Sequence, residues 1–272
     1  MKKSDSVRKG VSESYTKAVT RSSGGCCGGA ATQPKAGGCC CEAPAPEQKG
    51  VSAKLGGYSS KELKNLPEDA VVNSFGCGNP VAMSGLREGD VVLDLGSGAG
   101  IDLLLAAKKV GPKGRVIGID MTDEMVARAK KNVRAAGLKN VEVRKGIIEK
   151  MPVEAGSVDW VISNCVINLS PDKPAVFREA WRVLRPGGRL AISDVVATAP
   201  LPQSALDDLQ LLSACLSGAA ELEVLESMLA GAGFVDVDIS PVEGSTEFIR
   251  DWVPGSQLEE YVRSASIQAV KP

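Results

Sequence analysis

The sequence predicts an α/β fold, a doubly wound and mostly parallel sheet with helices on both faces. Three observations lead there. Val91–Leu95 (VVLDL) is apolar enough for a strand buried on both faces, and it breaks at once into alternating glycines, Gly96, Gly98 and Gly100. Ile101–Val110 then repeats apolar residues at helical spacing, so strand, glycine loop and helix form half of a nucleotide-binding βαβ unit. Beyond it, short apolar runs alternate with amphipathic stretches, the order that gives parallel strands joined by crossover helices.

The elements follow in order. Residues 1–50 are rich in Ser, Gly, Ala, Lys and Pro and poor in large apolar side chains, so they read as a flexible arm that cannot offset its ordering entropy. Only residues 11–19 carry a short helical pattern. The arm holds five of the eight cysteines: Cys26, Cys27, Cys39, Cys40 and Cys41. Residues 51–242 form the nucleotide-binding domain, and 243–272 a short C-terminal segment that completes it. Residues 58–66 give a helix capped by Ser59 or Ser60, with Glu62 in its first turn and Pro67 ending it. Residues 73–79 are a loop in which Cys77 lies between two glycines, and Pro80 opens a short apolar segment. Glycine neighbours offer no packing, so Cys77 reads as functional rather than as core filling.

After the glycine loop and its helix, residues 111–114 turn into a second strand, 115–119, with Asp120 at its end. Thr122 caps the next helix, Asp123 and Glu124 suit its positive end, and Gly137 closes it. Val141–Lys145 is the third strand, followed by Gly146, Ile147, Ile148 and Glu149. Residues 157–163 are the fourth, running into Asn164, Cys165 and Val166. A helix opens at Ser170 and Pro171 and reaches Leu184; residues 185–188 then turn tightly into strand five, 189–194. Residues 206–216 read as a helix containing Cys215, and residues 221–230 as another. Residues 235–240 and 265–270 supply the last strands.

The glycine spacing is G-x-G-x-G, which alone is weak. Asp94 sits inside the apolar strand, where a charge needs a hydrogen-bonding or functional reason. Asp120 ends the second strand, where an acid accepts hydrogen bonds from ribose hydroxyls. No basic residue closely follows Asp120, and the loop lacks the Gly-Lys-Ser/Thr ending of a P-loop. The ligand is therefore a nucleoside without phosphates. D-x-G-x-G-x-G with such an acid resembles the class I S-adenosylmethionine (SAM) methyltransferases, with their Rossmann-like fold; a nicotinamide or flavin cofactor is the alternative. The resemblance implies SAM contacts from Asp94, Gly96, Ser97, Gly98, Gly100, Asp120, Met121, Ile148, Glu149 and Asn164.

Composition narrows the chemistry. Net charge is −1, so no broad attraction to nucleic acid or to a membrane surface is expected. The polar start MKKSDSVRKG carries no signal-like apolar stretch, and there is no run of about 18 apolar residues. The expectation is a cytoplasmic enzyme with its cysteines mostly reduced. Histidine is absent, which excludes histidine acid–base catalysis and Ser–His or Cys–His nucleophile pairs. Sulfur is left as the soft ligand or nucleophile.

Ligands of a doubly wound sheet bind beyond the carboxyl ends of its strands. Cys165 follows strand four, Cys215 lies after strand five, and Cys77 precedes strand one, so three separated thiols are placed to meet at one rim. Zinc typically takes four ligands, and local Cys-x₂₋₄-Cys pairs are absent from these positions. A trivalent thiophilic centre such as arsenite takes three sulfurs and keeps a nucleophilic lone pair. At GYSSKELKNLPEDAVVNSFGCGNPVA, VLDLGSGAGIDLLLAAKKVGPKGRVIGIDMT and SNCVINLSPDKPAVFREAWRVLRPGGRLAISDVV the chain resembles the arsenite methyltransferases. The resemblance implies stepwise methylation of arsenite and methylated trivalent arsenicals by SAM, with Cys77, Cys165 and Cys215 as arsenic ligands. It also implies a capture or redox cysteine among Cys26 and Cys27, and a small-thiol or thioredoxin-like reductant. A disulfide between Cys77 and an N-terminal cysteine is the expected route for reduction between steps; Cys39 to Cys41 have no assigned counterpart. The rivals are a class I methyltransferase for a small organic substrate, with structural cysteines, and a thiol-rich metalloid-binding protein that retains the fold without turnover.

Overall fold

The computed structural model describes residues 2–20, 53, 56–206, 208–252 and 256–272. Cys26, Cys27, Cys39, Cys40 and Cys41 lie outside the described residues. The sheet comprises β1 (Val91–Leu95), β2 (Arg115–Asp120), β3 (Val141–Lys145), β4 (Val158–Asn164), β5 (Leu184–Ala197), β6 (Ala220–Glu221), β7 (Val235–Pro241) and β8 (Val262–Val270). Its order is β3-β2-β1-β4-β5-β8-β7, with β6 pairing β5. β3 through β5 run parallel, whereas β8 is antiparallel to both β5 and β7. The order reverses between β1 and β4, and there the carboxyl ends open a crevice.

Successive β1 residues serve opposite faces. Leu93 and Leu95 join Ile117, Phe177 and Leu190 on one side; Val92 packs with Leu103, Leu104 and Ile162 on the other. The helices covering these faces include α5 (Ile101–Val110), α6 (Asp123–Ala135), α7 (Lys173–Val183) and α10 (Leu222–Ala232). Ahead of the sheet lie α1 (Lys2–Thr20), α2 (Ser60–Lys64), α3 (Glu68–Val72) and α4 (Pro80–Met83); α8 (Gln203–Leu206) and α9 (Leu209–Ser213) follow β5, and α11 (Ser245–Arg250) follows β7. Ser59 caps α2 in a full capping box with Glu62. Among the described residues no helix is long and apolar enough to cross a membrane.

Five local expectations change. Residues 2–20 of the expected arm are a single helix, because Val11 and Val19 find complete burial against the domain. That burial is worth about 1.5–3 kcal/mol for each such side chain. The helix after β4 starts at Lys173 rather than Ser170, since Asp172 is the residue whose carboxylate caps Ala175 N–H. Residues 185–188 do not break the chain before a strand; β5 runs through them as an irregularity in its pairing with β4. The single helix expected over 206–216 is two short ones, α8 and α9, and Cys215 lies beyond both with a positive φ of 62°. Thr122 occupies the N-cap of α6, but its side chain makes no capping bond; its N–H instead donates to Asp120 Oδ1 at 2.9 Å.

Candidate functional site

A cleft opens at the β1/β4 switch point and encloses about 980 Å³ of empty space, part of it open to solvent, within the range of small-molecule sites. Its floor is the glycine loop. Gly96 adopts φ 63°, and a Cβ there would run into the side chain of Val166, so the loop and the turn after β4 meet only if residue 96 is glycine. Asp120 closes one end, its Oδ2 accepting Gly98 N–H at 3.0 Å. Burial pushes the Asp120 pKa up, while these backbone bonds pull it down.

Asp94 and Ser97 line the same cleft, and Asp94 Oδ2 and Ser97 Oγ are buried without a hydrogen-bond partner. A native fold leaves few such atoms, and of the four among the described residues these two line the cleft. Burial first, then the charges of Asp102 and Asp120, drive the Asp94 pKa well above the usual carboxylate range. A bound cation removes that penalty. An orphaned carboxylate oxygen, a glycine floor and an end acid fit SAM, which carries an α-ammonium group, a carboxylate and ribose hydroxyls.

Across the cleft the roof is α1. Arg8 Nε reaches Glu149 Oε1 at 3.3 Å, and Tyr15 stacks edge-on against Phe75 with centroids 5.8 Å apart. Arg8, Val11 and Tyr15 all line the cleft.

The thiol half lies beside it. Cys77, Cys165 and Cys215 share one buried cluster with Leu169, Val195 and Leu216. Cys77 and Cys165 are joined in a disulfide. Cys215 is free and buried, and its Sγ donates to Cys165 O at 2.9 Å. Cys165 and Cys215 both hold positive φ, 54° and 62°, a conformation that costs energy in a non-glycine residue and clusters at functional sites.

The loop carrying Cys77 meets three strands, β4, β5 and β8. Asn164 Oδ1 accepts Cys77 N–H, Ser193 Oγ lies 3.7 Å from Cys77 Sγ, and Ser264 Oγ donates to Cys77 O at 3.0 Å. Asp194 offers an oxygen within 4.8 Å of both disulfide sulfurs. Its Oδ2 accepts Ile167 and Asn168 N–H, fixing the turn after Cys165; burial raises its pKa to about 6. Asn168 Nδ2 donates to Val195 O at 2.6 Å and Cys215 O at 3.3 Å, seating the Cys215 segment. Burial, then the Asp194 charge, push the Cys215 thiol up, with Lys173 and Tyr15 pulling it back.

A methyltransferase-domain family model matches residues 86–240. The arsenic(III) SAM methyltransferase of Chlamydomonas reinhardtii has a similar structure, with TM-score 0.60 and 36% identity over 84% of this chain and 74% of that one. The chain belongs to the arsenite methyltransferase family. The Halobacterium salinarum arsenite methyltransferase is 50% identical over 216 residues, which are 79% of this chain and 55% of that protein. The human arsenite methyltransferase is 40% identical over 182 residues, 63% of this chain and 48% of that protein. The chain thus spans about half the length of the curated relatives it matches.

For an arsenite methyltransferase family member, the placement of the expected residues is informative. Asp94, Gly96, Ser97, Gly98, Asp120, Met121, Ile148, Glu149 and Asn164 line the cleft; Gly100 does not, and serves instead as the left-handed N-cap of α5. Glu149 is engaged by Ser170 Oγ at 2.7 Å as well as by Arg8. Asn164 spends its amide on the Cys77 loop and on Tyr58. The three core cysteines come together, but two of them, Cys77 and Cys165, as a disulfide rather than as free thiols; the expected pairing of Cys77 with an N-terminal cysteine involves residues outside the described ones. Bringing the loop onto the end of β4 places those two sulfurs in bonding contact.

The sequence reading missed Tyr15, Tyr58, Asp102, Lys173, Asn168 and Asp194. A usable signal existed for one of them: Asp194 interrupts an apolar strand just as Asp94 does. The others contact the site through partners far away in sequence, which one chain without structure does not reveal.

Proposed function

We propose that this protein transfers methyl groups from SAM to trivalent arsenic held by Cys77, Cys165 and Cys215. The observation that carries the reading is the gathering of these three cysteines in one buried cluster beside a cleft in which Asp94 Oδ2 has no hydrogen-bond partner. Bound SAM supplies an electrophilic methyl group. The chain supplies the rest: Asp94 and Ser97 take the amino-acid end, Asp120 the ribose, and the cysteines the substrate.

Each thiol displaces one hydroxide of arsenite; an As–S bond forms, an As–O bond breaks, and the thiol proton leaves with the hydroxide as water. The arsenic lone pair then forms the As–C bond and no general base is needed, in keeping with a chain that lacks histidine. The protein contributes proximity and alignment. Arsenic becomes pentavalent on transfer, and two thiolates closing to a disulfide return the two electrons that make it trivalent again. A small thiol or thioredoxin-like dithiol reopens that disulfide. Free thiols are required for each cycle, so the enzyme works in a reducing compartment such as the cytoplasm.

The test uses purified full-length protein with SAM, arsenite and a small thiol. S-adenosylhomocysteine forming only when arsenite is present, together with methylated arsenic on speciation, is the expected result. S-adenosylhomocysteine formation independent of arsenite, or arsenite binding without any turnover, overturns it.

A further inference from the structure

We propose that Asn164 is the positioning residue of the thiol half: its amide clamps the Cys77 loop to the rim and sets Cys77 against Cys165. The consequence for turnover rests on the function proposed above; the clamp itself does not.

Asn164 is the last residue of β4 and the immediate neighbour of Cys165. Its Oδ1 accepts from Cys77 N at 3.0 Å and Gly78 N at 3.3 Å. Its Nδ2 faces Gly78 O at 2.7 Å, Tyr58 Oη at 2.9 Å and Asp102 Oδ2 at 3.3 Å. Two N–H groups therefore serve three acceptors, with Asp102 the most distant. The orientation is fixed by these partners, since a flipped amide would set donor against donor at Cys77 N and oxygen against oxygen at Gly78.

The loop is shaped to receive this amide. A Cβ on residue 76 would collide with the Asn164 side chain, and one on residue 78 with Ser193 Oγ. Here the glycines flanking Cys77 have a packing reason: they let the backbone lie directly on Asn164 at the end of β4 and on Ser193 of β5. The clamp is anchored in turn, because Tyr58 Oη also donates to Asp102 Oδ1 at 2.8 Å, in the first turn of α5. One side chain thus fixes the spacing of two cysteines separated by 88 residues. Aspartate keeps the acceptor but turns a charge toward Gly78 O and Asp102; glutamine adds a methylene where the glycines leave no room.

The experiment compares fully reduced wild type, Asn164→Ala and Tyr58→Phe, each full length. Iodoacetamide labelling at Cys77 and Cys215 is timed by peptide mass spectrometry. Closure of the Cys77–Cys165 disulfide by diamide is timed separately; each closure passes two electrons and two protons to one diamide. In Asn164→Ala, Cys77 labelling rises about tenfold and disulfide closure slows about tenfold, as losing a pair of hydrogen bonds of ordinary net worth implies. Cys215 labelling stays within about twofold, because neither of its own bonds, to Cys165 O and from Asn168, is made by the Asn164 side chain. Tyr58→Phe shifts Cys77 in the same direction by less, since the two Oδ1 bonds remain.

Unchanged Cys77 kinetics in folded Asn164→Ala, or equal increases at Cys77 and Cys215, overturn the clamp. If Asn164→Ala does not fold, unchanged Cys77 kinetics in Tyr58→Phe overturn it alone. Single-turnover S-adenosylhomocysteine formation adds the link to function: Asn164→Ala loses more on arsenite, which takes three protein sulfurs, than on a monomethylated trivalent arsenical, which takes two. Equal losses on both substrates overturn that link. Wild type inactive on both substrates overturns the functional reading and leaves the labelling arms to judge the clamp.

Discussion

The two halves of the rim are built in opposite ways. The cofactor half is local: β1, the glycine loop, the start of α5 and the end of β2 supply Asp94, Gly96, Ser97, Gly98 and Asp120 from one βαβ unit. The thiol half has no local origin. Cys77 comes from the segment before the sheet, Cys165 from the end of β4 and Cys215 from the chain after α9, each fixed by a different partner. The cofactor half follows from short-range chemistry, and the thiol half exists only when the whole domain has closed.

The largest expected effect separates the halves outright. If the proposed function holds, Cys165→Ser or Cys215→Ser strips a sulfur from the proposed arsenic site, and arsenite turnover falls by about three orders of magnitude or more, the scale on which positioning contributes. SAM affinity by calorimetry is unchanged in both variants. A weakened SAM site in either would mean that the halves are not independent.

The next concerns Asp102, which bridges them. Burial raises its pKa to about 6, against hydrogen bonds from Tyr58 and Asn164 that lower it. A carboxylate with a raised folded pKa binds its proton more tightly in the native state, so native stability falls as pH rises from about 4 to about 6 and the penalty is complete above that. The change amounts to about 3 kcal/mol. Urea unfolding across that window shows a shallower slope in Asp102→Asn than in wild type, the remainder belonging to the other buried carboxylates, Asp94, Asp120 and Asp194; parallel curves for the two proteins would remove Asp102 as a source.

Gly96→Ala strikes the cofactor half. A Cβ at positive φ that also collides with Val166 costs about 2 kcal/mol, read as weaker SAM binding or a lower melting temperature. Because Val166 follows Cys165, arsenic coordination is the control: it should survive when SAM binding is restored by excess.

Locality also decides what the sequence reveals. β1, α5, β2 and β3 are read to within a residue because apolar run, glycine loop and terminal acid are adjacent, and a local pattern specifies a local structure. The sequence puts Cys215 in a helix because residues 206–216 carry a helical apolar pattern. Tertiary contacts with Asn168 and Cys165 override it, stopping α9 at Ser213 and turning Cys215 into the left-handed region. The glycines at 76 and 78 were legible as unusual, but their reason lies on Asn164 and Ser193, far along the chain. Residues 2–20 looked too polar to order because the surface that buries Val11 and Val19 belongs to the folded domain.

That last helix yields the smallest and most discriminating prediction. Read from sequence, removal of residues 1–41 slows turnover on arsenite but spares a single methyl transfer to a monomethylated trivalent arsenical, since the arm contributes only capture and redox. With α1 in place the expectation changes. Arg8 holds Glu149 on the cofactor side, Thr16 bonds Glu124, and Tyr15 packs on Phe75 with its hydroxyl directed at Ser213 O, two residues from Cys215. The helix is the element that roofs both halves at once. Its removal should weaken SAM binding and slow both substrates by about tenfold, the loss of one or two partly exposed polar contacts plus packing. Deleting residues 21–41 while keeping α1 isolates the cysteines from the roof: it should slow arsenite alone. Single-turnover S-adenosylhomocysteine formation by the two deletions on the two substrates decides the matter. If removing α1 spares the monomethylated substrate, the roof is dispensable and the two halves touch only through the rim.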